Sequence, residues 1–118
     1  MKLTGMAALM SDALERPYTV LIEPSVEIDL VDISWRIFQD RGADASEEYE
    51  RKLRQTILAL ADMPHTGNVD PHPMGPRRYS PNHDARYNIW FLVDDEERVV
   101  SVRCLHPKGN RPPSSRFR

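Results

Sequence analysis

The segment from Ala85 to His106, ARYNIWFLVDDEERVVSVRCLH, constrains the fold of this chain more than any other. Aromatic and β-branched residues fill its first half, Asp94 to Glu97 interrupts them, and a Val-rich run follows. This composition is typical of two strands joined by a turn. Because side chains alternate between faces along a strand, one face of each strand should contact the core. The predicted core faces hold Tyr87, Ile89, Phe91 and Val93 on the first strand, and Val100, Val102, Cys104 and His106 on the second.

The opposite face of this predicted hairpin is unusually polar. Strict alternation points His106 toward the core, so it reaches the polar face only if the strand end twists before Pro107. Polar and aromatic side chains gathered on one sheet face indicate a functional surface. The set comprises Arg86, Asn88, Trp90, Ser101 and Arg103.

The residues before the hairpin predict one strand and two helices. Tyr18 to Glu23 is a strand signal between prolines, and residues 65–84 are rich in proline and glycine, which predicts a loop with one short edge strand. The short link at Gly42 predicts an antiparallel pair of helices. The first helix has two apolar stripes. One stripe is Val26, Leu30, Ile33 and Ile37, and the other is Ile28, Val31, Trp35 and Phe38. The second helix has a single stripe of Tyr49, Leu53, Ile57 and Leu60.

This order of elements predicts an α+β domain: an N-terminal strand, an antiparallel helical hairpin and then antiparallel strands that form one twisted sheet with the helices on one face. A chain of 118 residues suffices for one such core. We expect residues 1–17 to form an N-terminal extension that is a short docked helix or a frayed segment. Residues 18–106 would be the domain, and residues 107–118 a basic, Pro-rich, flexible tail.

Composition excludes several classes of protein. No apolar run approaches the roughly 20 residues that span a bilayer, and the first residues do not resemble a secretory signal, so we expect a cytoplasmic protein without a membrane partner. A single cysteine fits a reducing compartment. The loop histidines, at positions 65, 72 and 83, match no zinc spacing, and there is no Gly-rich phosphate loop. We therefore expect no metal and no small-molecule cofactor.

Charge is unevenly distributed along the chain. Residues 1–64 carry seven basic and twelve acidic side chains, whereas residues 65–118 carry nine and six, together with all four histidines. An anionic partner would therefore meet the second half of the chain, although ordinary solvated charges could give the same distribution.

Several motifs, in this order, resemble the RelE/ParE superfamily of bacterial type II toxin-antitoxin toxins. YTVLIEPSVEIDLVDI is similar to the opening strand and helix of the family, and LADMPHTG to the end of its second helix. MGPRRYSPNHDARYNIWFLVDD resembles its basic strand followed by the hairpin, and VVSVRCLHPK its last strand. The resemblance covers roughly residues 18–108 and implies a growth-inhibiting toxin, a role linked to plasmid stabilisation, with a cognate antitoxin as partner.

The resemblance leaves three functions open. RelE-like members are endoribonucleases that bind RNA and cleave messenger RNA on the ribosome. ParE-like members inhibit DNA gyrase without catalysis, and an inactive homologue would do neither. The ribonuclease function is the first expectation, although a pI near 6.1 is low for a ribosome-binding protein.

Under the ribonuclease reading, the resemblance assigns catalysis to Arg86, His106 and Arg78. Histidine suits proton transfer near neutral pH, and arginine suits a phosphate because its planar fork keeps its charge. The expected nucleic-acid contacts are Arg77, Arg103, Lys108 and Trp90, the last by stacking on a base. The competing interpretation of Trp90 is half-buried surface packing, and that of Cys104 is a small core residue.

Overall fold

In this computed structural model, the described part of the chain folds into a five-stranded mixed sheet with two α-helices on one face. The structure describes residues 17–72, 75–81 and 86–118. Strand β1 is Thr19–Ile22, and helices α1 and α2 are Pro24–Arg41 and Ala43–Leu58. Strands β2, β3, β4 and β5 are Asn68–Asp70, Arg77–Pro81, Tyr87–Asp94 and Val99–Pro107. The α+β class and the order of strand, helical hairpin and strands are confirmed. The helix considered for the first 16 residues lies outside the described residues.

The strands are ordered β1-β5-β4-β3-β2 across the sheet. β1 lies parallel to β5, and the other neighbours are antiparallel. The predicted hairpin forms the centre of the sheet, and its strands pair from Tyr87 opposite Pro107 to Asp94 opposite Val99. The predicted loop contains a second short strand, β2, in addition to β3. A strand of three residues is too short to show an alternation of apolar and polar side chains. β2 is therefore defined by its pairing with β3 and not by its sequence.

The core lies between the sheet and the helices. The first predicted stripe of α1 is buried, as is the stripe of α2, because both face the apolar side of β4 and β5. The cluster comprises Val26, Leu30, Ile33, Ile37, Tyr49, Leu53, Ile57, Leu60, Ile89, Phe91, Val100, Val102 and Leu105. The sheet face turned away from this cluster is called the open face.

A single residue, Gly42, connects the two helices. Its φ of 89° lies in the left-handed region that glycine adopts at little cost. The Ser46 hydroxyl donates to the Ser34 carbonyl at 2.7 Å, and Arg54 forms two hydrogen bonds with the Glu27 carboxylate at 2.7 and 3.1 Å. These contacts join α1 and α2 as an antiparallel pair. No helix in the described part of the chain is long and apolar enough to cross a membrane.

Candidate functional site

A β-bulge at Arg103 determines which side chains reach the open face. Trp90 pairs with Cys104 and Phe91 pairs with Val102, so one residue of β5 has no partner on β4. Such an extra residue reverses the alternation of side chains beyond it. His106 consequently lies opposite Asn88 on the open face, and Leu105 joins the core instead. The core-facing position predicted for His106 by strict alternation is therefore wrong. Cys104, which pairs with Trp90, is fully buried, as expected of a small core residue, although it lies on the face opposite Phe91 and Val102.

Three of the predicted site residues come together at one end of the open face. Arg86 immediately precedes β4, and its carbonyl accepts a hydrogen bond of 3.0 Å from the Lys108 N–H. This bond places Arg86 and Lys108 across from one another, two residues beyond the pair of Asn88 and His106. His106 is half-buried, whereas Arg86 and Lys108 are exposed. Two cations and a histidine thus share one face and one end of the sheet.

Trp90 lies at the centre of the open face and is covered there. Its relative exposure is 3%. The Tyr79 ring stacks against it at a centroid distance of 4.6 Å, and the Phe117 ring meets it edge to face at 6.0 Å. A base can stack on Trp90 only if one of these rings moves.

Arg77 and Arg103 also contact the end of the chain. Arg77 is 8% exposed, and its guanidinium lies 4.1 Å from the centroid of the Phe117 ring, a cation–π contact. Arg103 donates from Nη1 to the Arg118 carbonyl at 2.9 Å. Both cations were predicted to contact nucleic acid, and in this structure both hold residues 114–118 against the sheet.

Arg78 lies apart from the other predicted site residues. It is opposite Phe91, so it is on the helix-side face of the sheet, and its Nη1 donates to the His65 carbonyl at 3.0 Å. Phe91 is three residues along β4 from Asn88, the partner of His106, which corresponds to about 10 Å along a strand. A single phosphate cannot contact Arg78 and His106 in this arrangement.

The C-terminal segment, residues 108–118, packs on the open face and on α1, although a flexible tail was expected. The Arg116 guanidinium binds the Asp29 carboxylate at 2.5 and 3.3 Å, and this hydrogen-bonded contact raises the pKa of Arg116. Arg111 binds Asp70 at 2.9 Å. Asp29 also accepts the Leu105 N–H at 3.0 Å. The carboxylates that bind these basic side chains are far away in sequence. The composition of the segment alone therefore did not predict this packing.

Sequence reasoning missed a polar cluster at the turn between β4 and β5. Asp95 Oδ1 accepts the Tyr18 hydroxyl at 2.7 Å and lies 2.7 Å from His65 Nε2. The hydrogen bond to Asp95 raises the pKa of Tyr18, and the Tyr18 and His65 contacts lower the pKa of Asp95. The cluster joins Tyr18 and His65 to the turn. Its members are distant in sequence, so no motif marks it.

Two depressions lie on the open face. A cleft of about 340 Å³ is bounded by Tyr79, Asn88 and Trp90 on the sheet and by residues 108–111. The second depression, which we call the acidic groove, has about 740 Å³ and lies beside the β4–β5 turn. Its lining includes Leu21, Glu23, Leu92, residues 94–97, Ser101 and Arg103. Within the described ranges, no group of three or more His, Cys, Asp or Glu side chains could hold a metal ion.

The second predicted stripe of α1 remains exposed among the described residues. Trp35 and Phe38 stack on one another at 5.4 Å. An exposed row of large apolar side chains on one helix marks a surface that a partner can cover. The relative exposures are 64% for Ile28, 66% for Val31, 58% for Trp35 and 44% for Phe38.

Comparison with known proteins agrees with this architecture. The family model of the ParE toxin of the type II toxin-antitoxin system, parDE, matches residues 20–110, and the chain belongs to this family. The fold resembles that of an E. coli RelE toxin mutant solved in the free state, with a TM-score of 0.52 and 14% sequence identity. That match covers 86% of this chain and 90% of the RelE chain. No curated protein matches the sequence. The chain is therefore a toxin of a type II toxin-antitoxin system with the RelE/ParE fold.

Proposed function

We propose that this toxin inhibits growth by binding DNA gyrase, as its ParE family suggests, and not by cleaving RNA. The observation that carries the proposal is that Arg78, Arg77 and Trp90 do not join the other ribonuclease candidates at one accessible site. Arg78 is on the other face of the sheet from His106, and Trp90 and Arg77 are buried beneath Phe117. RNA cleavage needs proton-transfer and phosphate-binding groups to converge within hydrogen-bond reach of one phosphate. A toxin that acts by binding has no such requirement.

Ribosome-dependent cleavage of messenger RNA is the second candidate. It is favoured by the bulge at Arg103, which brings His106 to the same face and end of the sheet as Arg86 and Lys108. In this reading His106 transfers a proton, and Arg86 and Lys108 stabilise the charge on the phosphate. Arg78 has no part in the reaction.

Two assays on the purified protein distinguish the candidates. Under the gyrase proposal, the toxin blocks supercoiling of relaxed plasmid by gyrase and leaves the message intact on programmed ribosomes. Arg86→Ala and His106→Ala would then retain toxicity in cells. The matched control is Arg36→Ala, which removes an exposed arginine from α1.

Circular dichroism must first show that the variants are folded. Two outcomes would then contradict the gyrase proposal. New RNA ends on the ribosome that depend on Arg86 and His106, but not on Arg36, would replace the gyrase proposal with the ribonuclease. Harmless expression of the wild-type protein, with no effect in either assay, would identify an inactive homologue.

We infer that the cognate antitoxin covers the exposed stripe of α1 and neutralises the toxin in the cytoplasm. The stripe is apolar at four positions at helical spacing, which fits the apolar face of an amphipathic segment. Val31→Lys should prevent rescue of growth by the co-expressed antitoxin, because it inserts a charge at the centre of the stripe. Leu58→Lys is the control, since Leu58 is 56% exposed at the end of α2. Equal rescue of both variants would contradict this docking site.

A further inference from the structure

The C-terminal segment shows how the open face and the adjoining edge of β5 hold a polypeptide. Arg111 and Arg116 each bind a carboxylate, Asp70 and Asp29 respectively, and Phe117 packs on Trp90. All of these partners are at least four-fifths buried by the segment and by the fold: Asp70 is 8% exposed and Trp90 is 3% exposed, and the Asp29 side chain is 16% exposed. A basic segment carrying an aromatic side chain therefore fits this surface.

The acidic groove continues the same surface beyond Arg103. Arg103 lines the groove and also donates to the Arg118 carbonyl, so the C-terminal segment and the groove adjoin at this side chain. Three neighbouring residues on β1, β5 and β4 form the floor of the groove. Ser101 of β5 is in the middle, with Leu21 of β1 on one side and Leu92 of β4 on the other. Leu21 is 49% exposed. The floor is thus largely apolar and accessible.

The rim of the groove is acidic. Of the described residues that line it, Arg103 alone is basic, whereas five are acidic: Glu23, Asp94, Asp95, Glu96 and Glu97. Asp94 Oδ1 accepts the backbone N–H groups of residues 96 and 97 and so fixes the turn, and residues 96 and 97 are exposed. This charge repels a nucleic-acid backbone and attracts Lys and Arg.

We infer that the acidic groove binds an extended basic segment of a partner protein, in which apolar side chains alternate with Lys or Arg. An extended segment presents successive side chains to opposite sides, so alternate residues would meet the floor while the others meet the rim. Among the described strands, β1 lies at one edge of the sheet, and an edge strand can also offer backbone hydrogen bonds to an added strand. The inference is independent of the gyrase proposal and of the antitoxin surface on α1.

The test is fluorescence anisotropy of the full chain with a labelled peptide in which Lys alternates with Leu and Thr. A peptide with Glu in place of Lys is the comparison. We expect saturable binding of the Lys peptide only, weakened by salt because the contacts are between exposed charges. In Glu96→Lys/Glu97→Lys we expect at least a roughly tenfold loss of affinity, since two attractive charges become repulsive.

The control is Asp40→Lys/Glu47→Lys, which changes the net charge equally but at exposed positions of the helical hairpin. This variant should bind the Lys peptide like the wild type. Leu21→Thr, which replaces an apolar side chain of the floor with a smaller, more polar one of high strand propensity, should weaken binding without changing its salt dependence. The inference is overturned if both charge variants lose affinity equally, if the Glu peptide binds as well as the Lys peptide, or if the Lys peptide does not bind.

Discussion

Removal of the Asp29 side chain tests whether the C-terminal segment contributes to the stability of the fold. Asp29 Oδ2 accepts the Leu105 N–H at 3.0 Å and binds Arg116 at 2.5 Å. β1 ends opposite Val102, so it provides no strand neighbour for Leu105. In Asp29→Ala the Leu105 N–H and the Arg116 guanidinium therefore both lose their acceptor.

The cost can be estimated from burial. The side chains of Asp29 and Arg116 are 16% and 23% exposed. An unsatisfied buried donor costs about 1–3 kcal/mol, and breaking a fully buried ion pair costs about 3–5 kcal/mol. Because water reaches both side chains in part, we expect the free energy of unfolding to fall by about 2–3 kcal/mol. For a domain of this size each kcal/mol lowers Tm by about 4 °C, so Tm should fall by roughly 10 °C.

Urea and thermal unfolding followed by circular dichroism measure this change. Asp32→Ala is the control, because Asp32 lies one turn further along α1 and is exposed; it should change stability by less than about 0.5 kcal/mol. Arg116→Ala should destabilise less than Asp29→Ala, because the Leu105 hydrogen bond remains. The reasoning is refuted if Asp29→Ala and Asp32→Ala have the same stability.

Two further predictions concern the loop and the buried thiol. Gly67→Ala should lower the free energy of unfolding by more than about 2 kcal/mol in urea titrations, because its φ is 78° and a Cβ would overlap the Tyr79 carbonyl oxygen. The control is Gly109→Ala, which has a φ of 96° and no atom within 4 Å of the added Cβ, and should cost only about 1 kcal/mol. Equal costs for the two variants would contradict the overlap. Burial raises the pKa of the Cys104 thiol from 9.0 to about 11, so the unfolded state releases this proton first as pH rises. The wild type should therefore lose up to roughly 3 kcal/mol of stability between pH 9 and 11 relative to Cys104→Ala, and parallel pH profiles of the two proteins would contradict this.

Much of the fold follows from local sequence pattern. The alternation along β4 and the stripes of α1 and α2 each specify an element and its buried face without reference to the rest of the chain, and Gly42 marks a short link between the helices. Together with the order of the elements they predict the helical hairpin on a sheet. The strand β2 escaped prediction because it consists of three residues whose only signal is pairing with β3.

The arrangement of the candidate site depended on long-range geometry. The bulge at Arg103 reversed the face of His106, because one extra residue shifts the alternation of every side chain beyond it. Arg77 and Arg78 are separated by the ordinary alternation of a strand: Arg77 lies under Phe117 on the open face, whereas Arg78 contacts the His65 carbonyl on the other.

Residue types and their local spacing establish which side chains could do chemistry and which elements carry them. Which of those side chains are accessible together depends on contacts between distant parts of the chain. The C-terminal segment illustrates the reason: its composition is typical of a flexible tail, yet Arg116 finds the Asp29 carboxylate 87 residues away. The spacing of apolar residues within a segment predicts the helix or strand that it forms, whereas contacts between distant segments depend on the packing of the whole chain.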